Sequence, residues 1–414
     1  MKHILILALL SSFSLASDGL NRGDSAWMLV ATAFVMLMTP AGLALFYGGM
    51  TKSKNVLNTI GLTLISFGVG TITWIIAGYG IAFGDGDFYG STKILLSGIT
   101  PDSLSGSIPE FLFVAFQGTF AAIAVAIASG SMIERVKLST FTIFAALWIV
   151  LVYAPITHWT WGGGSTLNFG EMDFAGGTVV HINAGVAGFV VAMLLGKRIS
   201  KSEEKPFSPV FTVLGAILLW FGWFGFNAGS ALASDGVASS AFLVTNIAAS
   251  AGLLSWIAIE WFSKKKATLI GGATGAISGL VAITPAAGSA GVVDSIIIGF
   301  IGALIGFISV SKIKGLFKVD DSLDAFWIHG TVGIWGSIAT AILIAPYFTP
   351  EGYSISAQLI NQLKAIGLTI VYSALGTMIV FYISSLITGG ARIDAEIEEL
   401  GIDANIHGEA AVNI

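Results

Sequence analysis

Apolar runs long enough to cross the hydrocarbon core of a bilayer, which takes about 20 residues in a helix, recur along nearly the whole chain and leave few folds open. No water is available in that core, so every backbone N–H and C=O must find a partner inside the protein, and only helices or closed barrels span it. The runs fall near residues 26–47, 56–83, 111–132, 138–157, 178–195, 209–231, 241–262, 268–283, 292–311, 325–346 and 365–388. No strand-like alternation competes with them. The expected fold is therefore an all-α polytopic membrane protein with eleven transmembrane helices. Only 10% of the 414 residues are charged and 55% are hydrophobic, against roughly 25% charged in soluble domains. The net charge of −5 is too small to suggest nucleic acid as a partner, and the absence of cysteine excludes disulfides and cysteine-based metal or redox sites.

Residues 1–16 read as a signal peptide cleaved after Ala16, with a basic start at Lys2, a short apolar run from Ile4 to Leu10 and small residues at Ser14 and Ala16. The transport domain then covers 17–390, and an acidic tail covers 391–414. Fifteen of the 19 Lys and Arg residues fall in alternate loops, at Lys52 and Lys54, Arg135 and Lys137, Lys197 to Lys205, Lys264 to Lys266, Lys312 to Lys318, and Arg392. Arg22, Lys93 and Lys364 fall on the opposite side. By the positive-inside rule the N-terminus is outside and the C-terminus cytoplasmic, in a cell or inner membrane.

Within this pattern one motif occurs twice. Asp173, His181, Gly185 and Gly188 follow the spacing D-x7-H-x3-G-x2-G, and so do Asp321, His329, Gly333 and Gly336. The two segments head the fifth and tenth predicted spans. An odd number of spans per unit inverts the second unit, so residues 26–196 and 209–346 form an inverted repeat, with the span 365–388 as an extra element. His181 and His329 then enter from opposite sides and can meet near the midplane. An ionisable group at membrane depth is a functional hypothesis by default. Burial disfavours the charged form of each ring, so two neutral imidazoles are expected, one donating to the other and able to pass a proton. Zinc is the rival use, but two ligands with no third nearby make a poor site.

Other candidates carry plainer readings. Asp173 and Asp321 each precede a helix, where capping the first turn or ordering the loop is the ordinary role of an aspartate. Trp159 and Trp161 suit an interfacial aromatic belt. Spacing alone does not separate Phe116 and Phe226 from the other phenylalanines.

At FYGG (Phe46 to Gly49), VAFQG (Val114 to Gly118), Glu134 with Arg135, WGGG (Trp161 to Gly164), DFAGGTVVHINAG (Asp173 to Gly185), GWFGFNAGS (Gly222 to Ser230) and D-x7-HG (Asp321 to Gly330), the chain closely resembles the Amt branch of the ammonium transporter family. The match runs from the first span to the tail. The resemblance implies eleven helices, a homotrimer with one pore per subunit, and no cofactor. It places His181 and His329 as a pore pair. It also matches Trp161, Phe116 and Ser230 to an outer ammonium recruitment site, Phe116 with Phe226 to a stacked gate, and Asp173 to a residue shaping the vestibule. Two departures stand out. Trp327 occupies a position commonly small in the family, which bears on local packing. The tail keeps Asp403, His407, Gly408 and Glu409 of a D-x3-HGE pattern but ends in AAVNI, without the aromatic often found there; in the family this tail couples subunits and answers PII signal proteins.

The resulting expectation is transport. An aromatic cage attracts ammonium by cation–π interaction, a serine hydroxyl accepts its proton, and neutral ammonia crosses the apolar lumen past the histidines. Whether the proton follows along the pair, making transport electrogenic, stays open at this level. The alternatives are an ammonium sensor of the same fold signalling through the cytoplasmic face, and an Rh-like gas channel, against which Trp161 argues. An enzyme fits least, since the paired histidines lack a nucleophile or a third metal ligand.

Overall fold

The computed structural model describes residues 19–199 and 205–412; the expected signal peptide lies outside them. Among the described residues, ten helices are long and apolar enough to cross a membrane. They are α1 (Arg22–Met50), α2 (Ser53–Phe83), α3 (Glu110–Ser129), α4 (Leu138–Thr160), α5 (Gly177–Leu195), α6 (Pro209–Gly229), α7 (Gly236–Lys264), α8 (Leu269–Ala286), α9 (Val292–Phe317) and α11 (Ile355–Ile387). Between the last two lies α10, residues 326–342. The fold is all-α, as expected. One small hairpin, β1 (Leu104–Ser105) with β2 (Ile108–Pro109), sits in the loop between α2 and α3.

Two spans differ from the sequence reading. The tenth, α10, is only a 5-residue π turn followed by a 12-residue α-helix, and the chain leaves the helix at Leu343. Helix α11 starts at Ile355, well before the expected 365, because its polar first turns have partners: Gln362 donates to the Met172 and Ser337 carbonyls and accepts from the Met172 N–H. Lys364, expected in a loop, is thus within the helix, its ammonium 5.9 Å from the Phe169 ring centroid.

Short polar side chains start the helices. Asn21, Ser208, Asp235, Thr268 and Ser354 accept the orphan N–H groups of α1, α6, α7, α8 and α11. Helix α2 takes its cap from the far end of the chain: Asp403 accepts from the Leu57 and Asn58 N–H groups at 2.9 and 2.8 Å, where the helix dipole favours a negative charge. Helices α3, α5 and α8 form the centre, with 89%, 83% and 83% of their apolar stretches buried, whereas α2 and α11 are peripheral, at 28% and 33%.

The loops rich in Lys and Arg meet at one end of the bundle. Arg198 binds Glu134 at 2.8 Å and Asp320 at 2.9 Å, while buried Arg135 donates to the Ser131 and Asp320 carbonyls. Burial alone would raise the Glu134 carboxyl, but Arg198 and the Lys52 N–H outweigh it and hold it low. Burial likewise opposes ionisation of Asp320, yet Arg198 holds its carboxyl down at about 2.

Candidate functional site

The repeated motif builds the same local device twice. Asp173 sits just before the π turn Gly177–Ile182, and its carboxylate accepts from the N–H groups of Gly176, Gly177, Thr178 and Val179 and from the Thr178 hydroxyl. Asp321 sits before the π turn Phe326–Gly330 and accepts from Ala325 N–H at 3.1 Å and Phe326 N–H at 2.9 Å. Both aspartates cap, as the sequence reading favoured, and both π turns carry a histidine. π turns are rare and gather at functional sites.

The two histidines meet. Nδ1 of His181 and Nδ1 of His329 are 3.2 Å apart, in rings whose centroids lie 5.2 Å apart and whose planes are 28° off parallel. One Nδ1 must donate and the other accept, so the outward Nε2 atoms differ: one is a lone pair and the other an N–H. Nε2 of His181 is buried with no hydrogen-bond partner among the described residues. Glycines of the opposite motif make room for the pair. A Cβ on Gly185 would lie 2.5 Å from the Gly330 amide nitrogen, next to His329, and one on Gly333 would lie 3.2 Å from the His181 Cβ.

From His181 a column of rings leads away from the lysine-rich end. The His181 ring stacks on Phe226 at 6.1 Å and on Trp223 at 5.6 Å. Phe226 stacks on Phe120 at 4.0 Å and 21°. Phe120 meets Trp161 edge-on at 6.1 Å. Around the histidines the space is narrow and apolar, only ≈ 10 Å³, walled by Met38, Leu43, Ile123, Leu219 and Ile277 among others. Beyond Phe120 it opens into a chamber of ≈ 340 Å³ lined by Phe113, Gln117, Phe120, Trp161, Phe174 and Ser230. Ser230 donates its hydroxyl proton to the Phe226 carbonyl at 2.8 Å, which leaves its oxygen lone pairs free to accept. Such a chamber, aromatic on one side and accepting on the other, suits a small cation with N–H donors.

The model of the Ammonium Transporter Family matches residues 26–412. The chain belongs to that family. An ammonium transporter of Aquifex aeolicus is 45% identical over 99% of this chain and 98% of its own length. One of Bacillus subtilis is 45% identical over 95% and 99%. The crystal structure of Candida albicans Mep2 superposes with a TM-score of 0.83 at 32% identity, covering 92% of this chain and 88% of that one.

Seen as a member of the ammonium transporter family, the chain gathers Trp161, Ser230, Phe226, His181 and His329 as the sequence suggested, but with one correction. The ring stacked on Phe226 is Phe120, not Phe116. Phe116 lies one turn earlier on α3, fully buried, against Phe120 at 4.9 Å and close to the Gly229 backbone. Neither Phe120 nor Gln117 was singled out from the sequence. The one available signal was the four-residue spacing of Phe116 and Phe120, which puts both on one helix face. Asp173 reaches the chamber through its backbone, its carbonyl accepting the Trp161 indole N–H at 2.7 Å. Trp159 points elsewhere, donating to the Phe88 carbonyl at 2.6 Å. Trp327 is buried among Phe189, Phe317 and Phe326. Asp403 caps α2, His407 lies 3.0 Å from the Asn58 amide, Gly408 has a φ of 66°, and the Glu409 N–H donates to the Asp403 carbonyl.

Proposed function

We propose that this protein transports ammonium by recruiting it in the chamber of Trp161, Phe120 and Ser230, admitting it past the Phe120–Phe226 gate, where its proton passes to the Nε2 lone pair of the histidine pair, and conducting ammonia past His181 and His329. The observation that carries the reading is the unbroken ring column from Trp161 to His329. Cation–π attraction worth roughly 0.5 to 2 kcal/mol offsets part of the lost hydration of ammonium, and the Ser230 oxygen accepts an N–H that potassium lacks. A bare charge at the bilayer centre still costs at least roughly 2.5 to 3.5 kcal/mol, so the neutral molecule is the species that suits the apolar lumen. Ammonia has one lone pair and three N–H groups, which match the unlike Nε2 atoms of the pair. The shared Nδ1 contact lets the proton cross behind it, making transport electrogenic. The same reading includes Phe116 as support behind Phe120 at the recruitment site, eleven spans with the N-terminus outside, an inner-membrane homotrimer, structural or regulatory roles for Asp321, Asp403, His407, Gly408 and Glu409, and a PII signal protein at the cytoplasmic face.

The test is an ammonium jump on liposomes held on a solid-supported membrane, comparing wild type with His181→Ala and His329→Ala. A wild-type current that either variant abolishes or makes unselective supports the relay. Fast ammonia uptake, read by an internal pH dye, with no wild-type current rejects the proton path and leaves conduction of the neutral gas. No signal above empty liposomes rejects transport in favour of the sensor.

A further inference from the structure

One wall of the Trp161 chamber is a single face of α3. Phe113, Gln117 and Phe120 succeed one another at intervals of four and three residues, which puts them on the same side of a helix, and all three line the chamber. The hydrogen-bond donors of two other lining side chains are already engaged. The Trp161 indole N–H donates to the Asp173 carbonyl and the Ser230 hydroxyl to the Phe226 carbonyl. Gln117 differs from both. It is only 8% exposed, and its Oε1 is buried with no hydrogen-bond partner among the described residues. No other residue lining the chamber carries such an atom. An amide oxygen buried without a donor loses its hydration and gains nothing in return. Buried polar groups in folded proteins are otherwise almost always paired, so the donor that completes Gln117 comes from the contents of the chamber. The same holds further along the path at Nε2 of His181, which is also buried without a partner.

We propose that Gln117 is the second oxygen acceptor of the chamber, its Oε1 taking one N–H of ammonium while the Ser230 oxygen takes another. The inference rests on the recruitment reading above and adds what sets the choice among nitrogen cations. Ammonium has four N–H groups and no lone pair. The two oxygens, with the rings of Trp161 and Phe120, offer a partner to each N–H. Methylammonium brings three N–H groups, so one of those partners faces a methyl group instead. Without Oε1 three partners remain, and both ions can fill them. Gln117 is therefore the residue whose loss narrows the preference for ammonium, because a site built to bond an N–H discriminates against the ligand that lacks it.

Two variants of the full chain test this. Gln117→Met keeps the length and bulk of the side chain and removes the acceptor, whereas Gln117→Glu keeps an acceptor oxygen in the same place. Each is read in two ways, with ammonium chloride and methylammonium chloride as the probes. The first is the half-saturating concentration of the current in liposomes. The second is the rise in unfolding temperature of the purified protein over sodium chloride, which follows binding whether or not the ion crosses. Gln117→Met is expected to raise half-saturating ammonium about tenfold, as for loss of one hydrogen bond to a charged group, and to shift methylammonium less. Gln117→Glu is expected to hold ammonium at least as well as wild type. A folded Gln117→Met that matches wild type in both readouts overturns the proposal. So does a Gln117→Glu that weakens ammonium as much as Gln117→Met does, which would make the amide matter for its shape alone. A wild type without current, but with an ammonium-specific thermal shift that Gln117→Met removes, would reject transport and keep Gln117 as an ammonium ligand. A wild type that responds to ammonium in neither readout overturns both.

Discussion

Asp173 holds Trp161 with its backbone and the His181 turn with its side chain: its carbonyl accepts the indole N–H at 2.7 Å, and its carboxylate accepts four successive backbone N–H groups of the turn. One residue thus sets a wall of the Trp161 chamber and the position of His181.

Replacing Asp173 should disturb both at once. Asp173→Ala strands buried N–H donors, each worth about 1–3 kcal/mol when left unpaired, and is expected to lower the thermal unfolding temperature along with transport. Asp173→Asn keeps one acceptor oxygen and should be intermediate. Trp161 fluorescence and ammonium-jump current, measured on both variants, check this. A normal current in a folded Asp173→Ala would detach the carboxylate from the pore.

The stacked ring should matter more than its neighbour. Phe120→Ala removes the 4.0 Å stack on Phe226 and opens a direct line from chamber to histidines. Potassium or water leakage should rise in that variant, whereas Phe116→Ala, behind the stack, should mainly cost stability, about 3–5 kcal/mol as for buried phenylalanines generally. Parallel flux assays on the two variants decide which ring closes the path.

The glycines of the two motifs should respond unequally. A Cβ on Gly185 would stand 2.5 Å from backbone atoms, which do not yield cheaply, while one on Gly333 meets the His181 Cβ at 3.2 Å. Overpacking costs about 1–3 kcal/mol in a filled core, so Gly185→Ala should unfold at clearly lower temperature than Gly333→Ala. Calorimetry or a dye-based melt in one detergent ranks them.

Acid stability should show an opposing pair. Burial first, and then the nearby Asp321, raise the Asp324 carboxyl to about 6 against the pull of Lys314, above the ordinary value near 3.9. Between these values the folded state binds the extra proton, so this contribution is full below about pH 4 and is lost as pH rises through about 6. Asp320, held at about 2, acts the other way: its contribution is present above about pH 4 and is lost as pH falls towards 2. Asp324→Asn should therefore flatten the decline of unfolding temperature between pH 4 and 6, and an unchanged slope would assign that decline to another group.

Much of this could be read before any coordinates. The apolar runs set the fold class, and the doubled D-x7-H motif located His181, His329 and their capping aspartates because a buried titratable group has few other reasons to recur. Phe120 was hidden because Phe116 lies one helical turn away on the same face, and only the facing ring of Phe226 chooses between them. The start of α11 was hidden by Gln358, Gln362 and Lys364, whose polarity reads as loop until the carbonyls of Gly170, Met172 and Ser337 are in place to accept from the glutamines. The tail's hold on α2 was equally invisible, since a cap 345 residues away leaves no local pattern.

The crossing of Gly185 over Gly330 and of Gly333 over His181 also bears on how the molecule works over a cycle. Rocking one half against the other would prise these backbone contacts apart and move each histidine with the opposite half. A conduit tied at its midpoint in this way keeps its two halves still there while cargo passes, and leaves the moving parts to side chains such as Phe120 and Phe226.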